Sequence, residues 1–564
     1  MSDRYTPKPS SRVVRAKVKS GCRTCKTRRV KCDEGWPVCC RCISTGRVCE
    51  GYGIWGGGGN HYGGRSIGPD SNTSLKNFFA PILVDAISKE EGLHLEWFTY
   101  RTAQKLPGVF TFDFWDRLLF QAVSAEPAVL HAALALGSAH MREGLIANNS
   151  LAGYTPDKEE LFTLQHYSKA IGYLEPHFLA KNNSSIRLAL ITCLVFIMME
   201  YLRGHYKAGN AHLQTGLRLL KEFKARSNAA DHYSLFQEPC CDSVDAWIIQ
   251  IFVRLDVQAK FLGYGSQYLD FMLEDSTSKS PNPGLMFASA NQARQHLDRL
   301  FNQILYLNHR CRDQATPRDQ AHTRDFFAEQ RHIKARVRSW YQAFKAYKAT
   351  ATTKGATPNT IAHLILQLYY DMAVIMADTC LWPADESRYD AHTHTFSSMM
   401  DQMKYIRSLT TSPTLYGIVH FPGMSSSVAD LGALPPVYYV AVKCRVRKIR
   451  YDALDFLSPL RHKEGIWNAP LVACITRGVV KIEEGDFYQS TDITDEKNPC
   501  NNLMKQDTRE QILPESYRLH DIEVELPEDY EGTATMKCKR KLDTYNWEIC
   551  SQHLILASDS IWYH

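Results

Sequence analysis

Between positions 22 and 49 the chain reads CRTCKTRRVKCDEGWPVCCRCISTGRVC, and nothing else in its 564 residues limits the fold as tightly. Seven of the 17 cysteines lie here; the other ten are scattered between 193 and 550. Six of the seven form two like halves, Cys22-x2-Cys25-x6-Cys32 and Cys39-x2-Cys42-x6-Cys49. A C-x2-C turn presents two thiolates to one ion at about 2.3 Å. The N-terminal residues contain no apolar stretch of the secretory kind, so the chain is expected inside the cell, where clustered cysteines read as metal ligands, not disulfides. Two separate tetrahedral zinc sites would need more thiolates than six; six serve two ions if two sulfurs bridge. Ligation by thiolate alone favours zinc over magnesium or calcium, and an iron–sulfur cluster would take four cysteines and leave the others idle. Cys40, the seventh, would make only C-x-C with Cys42, a poorer chelate, and is expected to be a spare exposed thiol.

Charge is concentrated at the same end. Residues 1–50 hold 13 Lys/Arg against four acids, so +9 sits on a chain whose total is +6. A basic head on a nearly neutral body suits a polyanion, although a solubilising tail would carry the same charge. The head is followed by a tether with nine of the 32 glycines between 51 and 68. Gly51–Gly56 matches the dinucleotide pattern G-x-G-x-x-G, but a metal ligand precedes it and more glycine follows, so it is rejected. No heptad pattern of apolar residues appears between 50 and 90.

The cysteine spacing resembles that of the fungal Zn2Cys6 binuclear-cluster transcription factors. Lys26, Arg28, Arg29 and Lys31 stand between the second and third cysteines, as in that family, and Pro37 precedes the fourth. The resemblance implies two zinc ions held by Cys22, Cys25, Cys32, Cys39, Cys42 and Cys49, with Cys22 and Cys39 bridging. It also implies a short helix over 23–30 whose exposed end enters the major groove at a CGG-type triplet. Arg29 occupies the family's base-reading position, where many members carry Lys; arginine can bind guanine bidentately. Lys26, Arg28 and Lys31 are then phosphate contacts.

From about residue 86 the apolar spacing is helical. It covers EEGLHLEWFTYRTAQKL, AVLHAALALGSAHMREG, PDKEELFTLQHYSKAIGYL and GHYKAGNAHLQTGLRLLKEF, with further stretches near 243–262, 320–350, 359–380, 391–408, 437–457 and 466–484. IRLALITCLVFIMMEYL is apolar nearly all round and predicts a central buried helix. Its longest apolar run, 188–199, is interrupted by Thr192 and falls short of the ~20 residues of a bilayer span, so no membrane segment is expected. Gly204, Ala208, Ala211 and Gly216 suggest close helix contact, and strand signals are few. Several of these pieces resemble the fungal-specific transcription factor domain, which implies a helical regulatory body. A second basic group, Lys443, Arg445, Arg447, Lys448 and Arg450, lies on a helix with an apolar stripe and reads as a solvated or packed face.

The expectation is a mostly α protein: a basic arm expected to be disordered (1–19), a Zn2Cys6 DNA-binding head (20–50), a flexible linker (51–85) and an all-helical regulatory body (86–564). No P-loop, H-E-x-x-H or G-x-S-x-G supports an enzyme. The function expected is a nuclear, sequence-specific transcription regulator binding double-stranded DNA, with a metabolic or secondary-metabolite gene cluster as the target the resemblance implies; the alternative is a nuclear scaffold using its zinc module for protein contacts. Co-regulators are expected partners, and homodimerisation stays open without a coiled coil.

Overall fold

The computed structural model describes residues 24–25, 28–32, 40–45 and 47 near the N-terminus. Further on it describes 88–110, 114–147, 158–180, 182–227, 244–264, 284–313, 320–353, 359–410, 427–485, 487–488, 512–527, 533–543 and 546–555. Two compact units result, Met1–Asn77 with Cys241–Val244, and Phe78–Cys240 with Asp245–His564. The basic arm, the linker and its glycine pattern, the Cys240–Cys241 pair, and Cys22, Lys26, Cys39 and Cys49 lie outside the described residues.

Within the first unit, helix α1 spans Cys40–Ile43. The second unit opens on a capping box. Ser88 Oγ accepts the Glu91 N–H and the Glu91 carboxylate accepts the Ser88 N–H at 2.7 Å, which satisfies donors that a helix start otherwise strands. This launches α2 (Lys89–Trp97), which runs through a π-turn, Phe98–Thr102, into α3 (Ala103–Lys105). After a second π-turn come α4 (Leu119–Ala125) and α5 (Pro127–Ala147). Pro127 starts α5, where its missing N–H costs nothing.

Helices α5, α6 (Lys158–Ala180), α7 (Asn183–Arg203) and α8 (Tyr206–Ser227) pack in sequence. Helix α7 is the central one: every residue from Leu188 to Leu202 is buried. By length and composition it and residues Thr360–Thr379 could each cross a bilayer, but 94% of the apolar window of α7 is enclosed by protein, as in a core helix. Asn182 caps its start, and Gly204 ends it at φ 84°, the left-handed region glycine adopts freely. On α8, a Cβ at Gly216 would lie 2.3 Å from Phe252 and one at Gly209 would lie 2.5 Å from Tyr201. Gly204 and Gly216 are buried as expected, whereas Ala208 and Ala211 are exposed, so Gly209 is the small residue at the contact.

Helices α9 (Val244–Phe261), α10 (Ala290–Asp313), α11 (Gln320–Thr353), α12 (Asn359–Thr379) and α13 (Thr393–Thr410) continue the body. Arg254 of α9 joins Asp430 at 2.7 Å and Asp298 of α10 at 3.3 Å inside it. The single helix expected over 437–457 is two, α14 (Leu434–Lys443) and α15 (Arg447–Leu457), parted by extended backbone at Cys444 and Val446. The break delivers Arg445 to two acids. Its Nη1 meets Glu386 at 2.9 Å and its Nη2 meets Glu483 at 2.8 Å, all three buried. Arg450 also bonds Glu483, and Lys443 bonds Glu386 at 2.6 Å. Of the second basic group only Arg447 and Lys448 are exposed. It is mainly a packed face.

A two-residue hairpin, β1 (Lys463–Glu464) with β2 (Trp467–Asn468), precedes α16 (Ala469–Glu484). The Glu464 carboxylate accepts the N–H groups of Gly432, Ala433 and Leu434 at 2.8–3.0 Å and so caps α14 with a negative charge where the helix dipole is positive. An antiparallel sheet, β3 (Leu519–Glu525), β4 (Thr533–Lys541) and β5 (Trp547–Ile555), lies near the C-terminal end. The protein is mostly α as expected, but this sheet means its body is not helical throughout.

Candidate metal centre and nucleic-acid interface

The described cysteines of the head converge. Cys25, Cys32 and Cys42 are buried and packed with Val30. Cys25 Sγ and Cys42 Sγ are 3.9 Å apart. Two thiolates on one tetrahedral zinc would be about 3.8 Å apart, from bonds of about 2.3 Å. Cys25 belongs to the first half of the pattern and Cys42 to the second, so the halves share one centre instead of forming remote sites. That is what a six-thiolate, two-ion cluster requires, and the donor set fits zinc.

Local backbone geometry repeats between the halves. Val30 N–H donates to Cys25 C=O and Arg47 N–H to Cys42 C=O, each at 3.0 Å and each spanning five residues. Such a bond closes a short helical turn when the residue before the donor is left-handed. In the first half that residue is Arg29, at φ 56°. A register shift of 17 maps Cys22, Cys25 and Cys32 onto Cys39, Cys42 and Cys49, and maps Arg29 onto Gly46. One half therefore carries glycine where the other carries arginine.

The basic residues divide by environment. Arg29 and Lys31 are exposed, while Arg28 is half-buried. Arg28 Nη1 donates to Thr45 Oγ1 at 3.1 Å, a bond between equivalent positions of the two halves. Thr45 was not singled out by sequence pattern, although the same 17-residue register places it opposite Arg28. A further basic run, Lys537–Lys541, forms most of β4. Cys538 is buried, Lys539 pairs with Asp521 at 3.0 Å, and Arg540 donates to Ile482 C=O at 2.7 Å.

Two family models match the chain, one of them over the cysteine cluster. Residues 20–54 match the fungal Zn(2)-Cys(6) binuclear cluster domain, and residues 96–424, more than half the chain, match the fungal specific transcription factor domain. The chain belongs to the fungal Zn2Cys6 transcription regulators. This zinc-cluster regulator is 22% identical over 554 aligned positions to the aspercryptin biosynthesis cluster-specific transcription regulator atnN of Emericella nidulans, covering 83% of this chain and 88% of that one. It is 27% identical to transcription regulator lscL of Purpureocillium lilacinum over 40% of this chain and 55% of the relative. The transcriptional regulatory protein moc3 of Schizosaccharomyces pombe shares 53% identity over 8% of each chain. No solved structure matches. The family's head binds two zinc ions and DNA, and the protein is a transcription regulator, not an enzyme. Among the described residues of the matched head, Cys25, Cys32 and Cys42 are the cysteines that come together.

Proposed function

We propose that this zinc-cluster regulator acts in the nucleus, reads a CGG-type triplet through Arg29, and holds the DNA backbone with Lys26, Arg28 and Lys31. The observation that carries the reading is Arg29, exposed and held left-handed at the end of a turn tied to buried thiols. A non-glycine residue gives up about 1–2 kcal/mol in that conformation, and a role at the DNA accounts for an arginine there. The full ligand set is Cys22, Cys25, Cys32, Cys39, Cys42 and Cys49, with Cys22 and Cys39 bridging. The limits of the parts are those of the expected arm (1–19), head (20–50), linker (51–85) and body (86–564).

Binding titrations on matched and scrambled sites at several salt concentrations test this. Arg29→Ala should lose about 1–3 kcal/mol on the matched site and blur preference at the guanines. Lys26→Ala should weaken all sequences alike and make the salt slope shallower by about 0.9. Equal losses on both DNAs for both variants would reduce the head to an electrostatic clamp. Because Arg28 also links the halves, Arg28→Ala should lower the thermal stability of the head as well as its affinity. Import is assigned to the basic stretch Arg12–Lys31, since Lys537–Lys541 is folded into β4; a reporter fused to residues 1–60 that stayed cytoplasmic would contradict this.

The relative named for the aspercryptin cluster aligns along most of the chain and supports control of a biosynthetic gene cluster as the biological role. Mapping the bound genomic sites tests that role. Co-regulators are the partners proposed besides DNA.

A further inference from the structure

Three helices of the body meet at a set of donors that the DNA-reading function does not use. Glu91 comes from the first turn of α2, His131 from α5 and His166 from α6, and one donor atom of each lies within 4.8 Å of the others. His131 Nδ1 and His166 Nδ1 are 2.9 Å apart, and His166 Nε2 is 3.7 Å from Glu91 Oε1. We propose that Glu91, His131 and His166 form a second metal centre, a binding site for one exchangeable divalent transition-metal ion of the zinc class.

The donor chemistry specifies the ion. Two imidazoles and a carboxylate suit zinc and its first-row neighbours, and they suit magnesium and calcium poorly. With only three protein ligands a fourth position stays open to water or a small anion, so this ion should exchange more readily than those of the closed thiolate cluster.

The surroundings orient each donor. Ser88 N–H holds Glu91 Oε2 at 2.7 Å and leaves Oε1 directed at the cluster. Tyr173 stacks on His131 at 5.4 Å, and Phe162 lies 4.1 Å from the His166 ring. Fixing ring and carboxylate in this way is how neighbouring groups tune metal ligands. Protonation states also suit binding. Burial, with Lys169 nearby, holds both histidines below their ordinary range, His166 at about 4, so both imidazoles are neutral at pH 7. Glu91 is an anion there, because hydrogen bonds from Ser88 outweigh the effect of burial. Each neutral imidazole offers one ring-nitrogen lone pair, and an ion would take the place of the hydrogen bond between the two Nδ1 atoms without net proton release. Lys169 Nζ, 3.5 Å from Glu91 Oε1, is the competing cation, and its half-exposed side chain can swing into water.

The test uses the full chain, stripped of metal and dialysed against zinc. Elemental analysis should find one equivalent beyond the two of the cysteine cluster. His131→Gln should remove that equivalent, leave the cluster's two in place, and leave cobalt–thiolate absorption of the cobalt-loaded chain unchanged. Glu91→Gln keeps an acceptor for Ser88 N–H and should weaken the extra ion at least tenfold in a zinc titration; it decides the matter if His131→Gln fails to fold. Added zinc should raise the melting temperature of the body in the parent chain and not in the variants. The proposal is overturned if the parent chain saturates at two zinc ions, or if the additional ion survives both substitutions.

Discussion

Glu483 offers the sharpest stability test. Its carboxylate is fully buried and accepts from Arg445 Nη2 at 2.8 Å, from Arg450, and from Leu519 N–H at 2.7 Å. It thus ties the segment between α14 and α15, α15 itself and the start of β3 to the end of α16. Burial alone would raise its pKa, but the two guanidinium groups prevail and hold it at about 2 against an ordinary 4.5. At about 1.4 kcal/mol per pKa unit, that difference is worth roughly 3 kcal/mol. Independently, breaking a buried pair by removing one partner costs about 3–5 kcal/mol. Because the folded-state pKa is depressed, the contribution is complete above pH 4.5 and is lost as pH falls toward 2. Glu483→Gln should therefore destabilise the protein by roughly 3 kcal/mol at pH 7. In a body of this size the melting point would drop by about 3 °C, since unfolding entropy grows with chain length. Urea unfolding at pH 7 and at pH 3 measures the gap between the two proteins. It should shrink by more than half at pH 3. A gap below about 1 kcal/mol at pH 7, or one equally wide at both pH values, would refute the reasoning.

Gly216→Ala should destabilise the body by about 1–3 kcal/mol in the same assay, since the added methyl meets Phe252 at 2.3 Å and Cys193 at 3.2 Å, which outweighs the helix propensity alanine gains. Cys22→Ala or Cys39→Ala should lower zinc content and unfold the head by circular dichroism if, as proposed, each bridges the two ions. Cys40→Ser should keep two zinc ions per chain by elemental analysis; a lower content would place Cys40 among the ligands.

The metal centre was legible in the sequence because its chemistry is local: six cysteines within 28 positions carry their own spacing. Helices were legible where apolar residues recur at three and four, as in α5 to α8. Helix α10 carries the same signal in Leu297, Leu300, Phe301, Ile304 and Leu307, all buried, and yet was not among the expected stretches. The break between α14 and α15 was hidden for a physical reason. Periodicity ranks arginine as solvent-facing, whereas Arg445 is enclosed and neutralised by acids 59 and 38 residues away. In β4 the alternation is present, with Ala534, Met536 and Cys538 buried, but lysines fill the outward positions, and the segment was not among the expected elements. The Glu91–His131–His166 cluster was invisible because only the packing of α2, α5 and α6 brings its members together.

The pairing of Arg29 with Gly46 across the two halves has a consequence for orientation. Two halves of one spacing would, if alike in side chain, offer DNA two interchangeable faces, and the head could settle on a site either way round. Here one half presents a guanidinium at the turn and the other presents no side chain at all. On the proposed reading through Arg29, the two halves are therefore not interchangeable, and only the first of them can address a triplet.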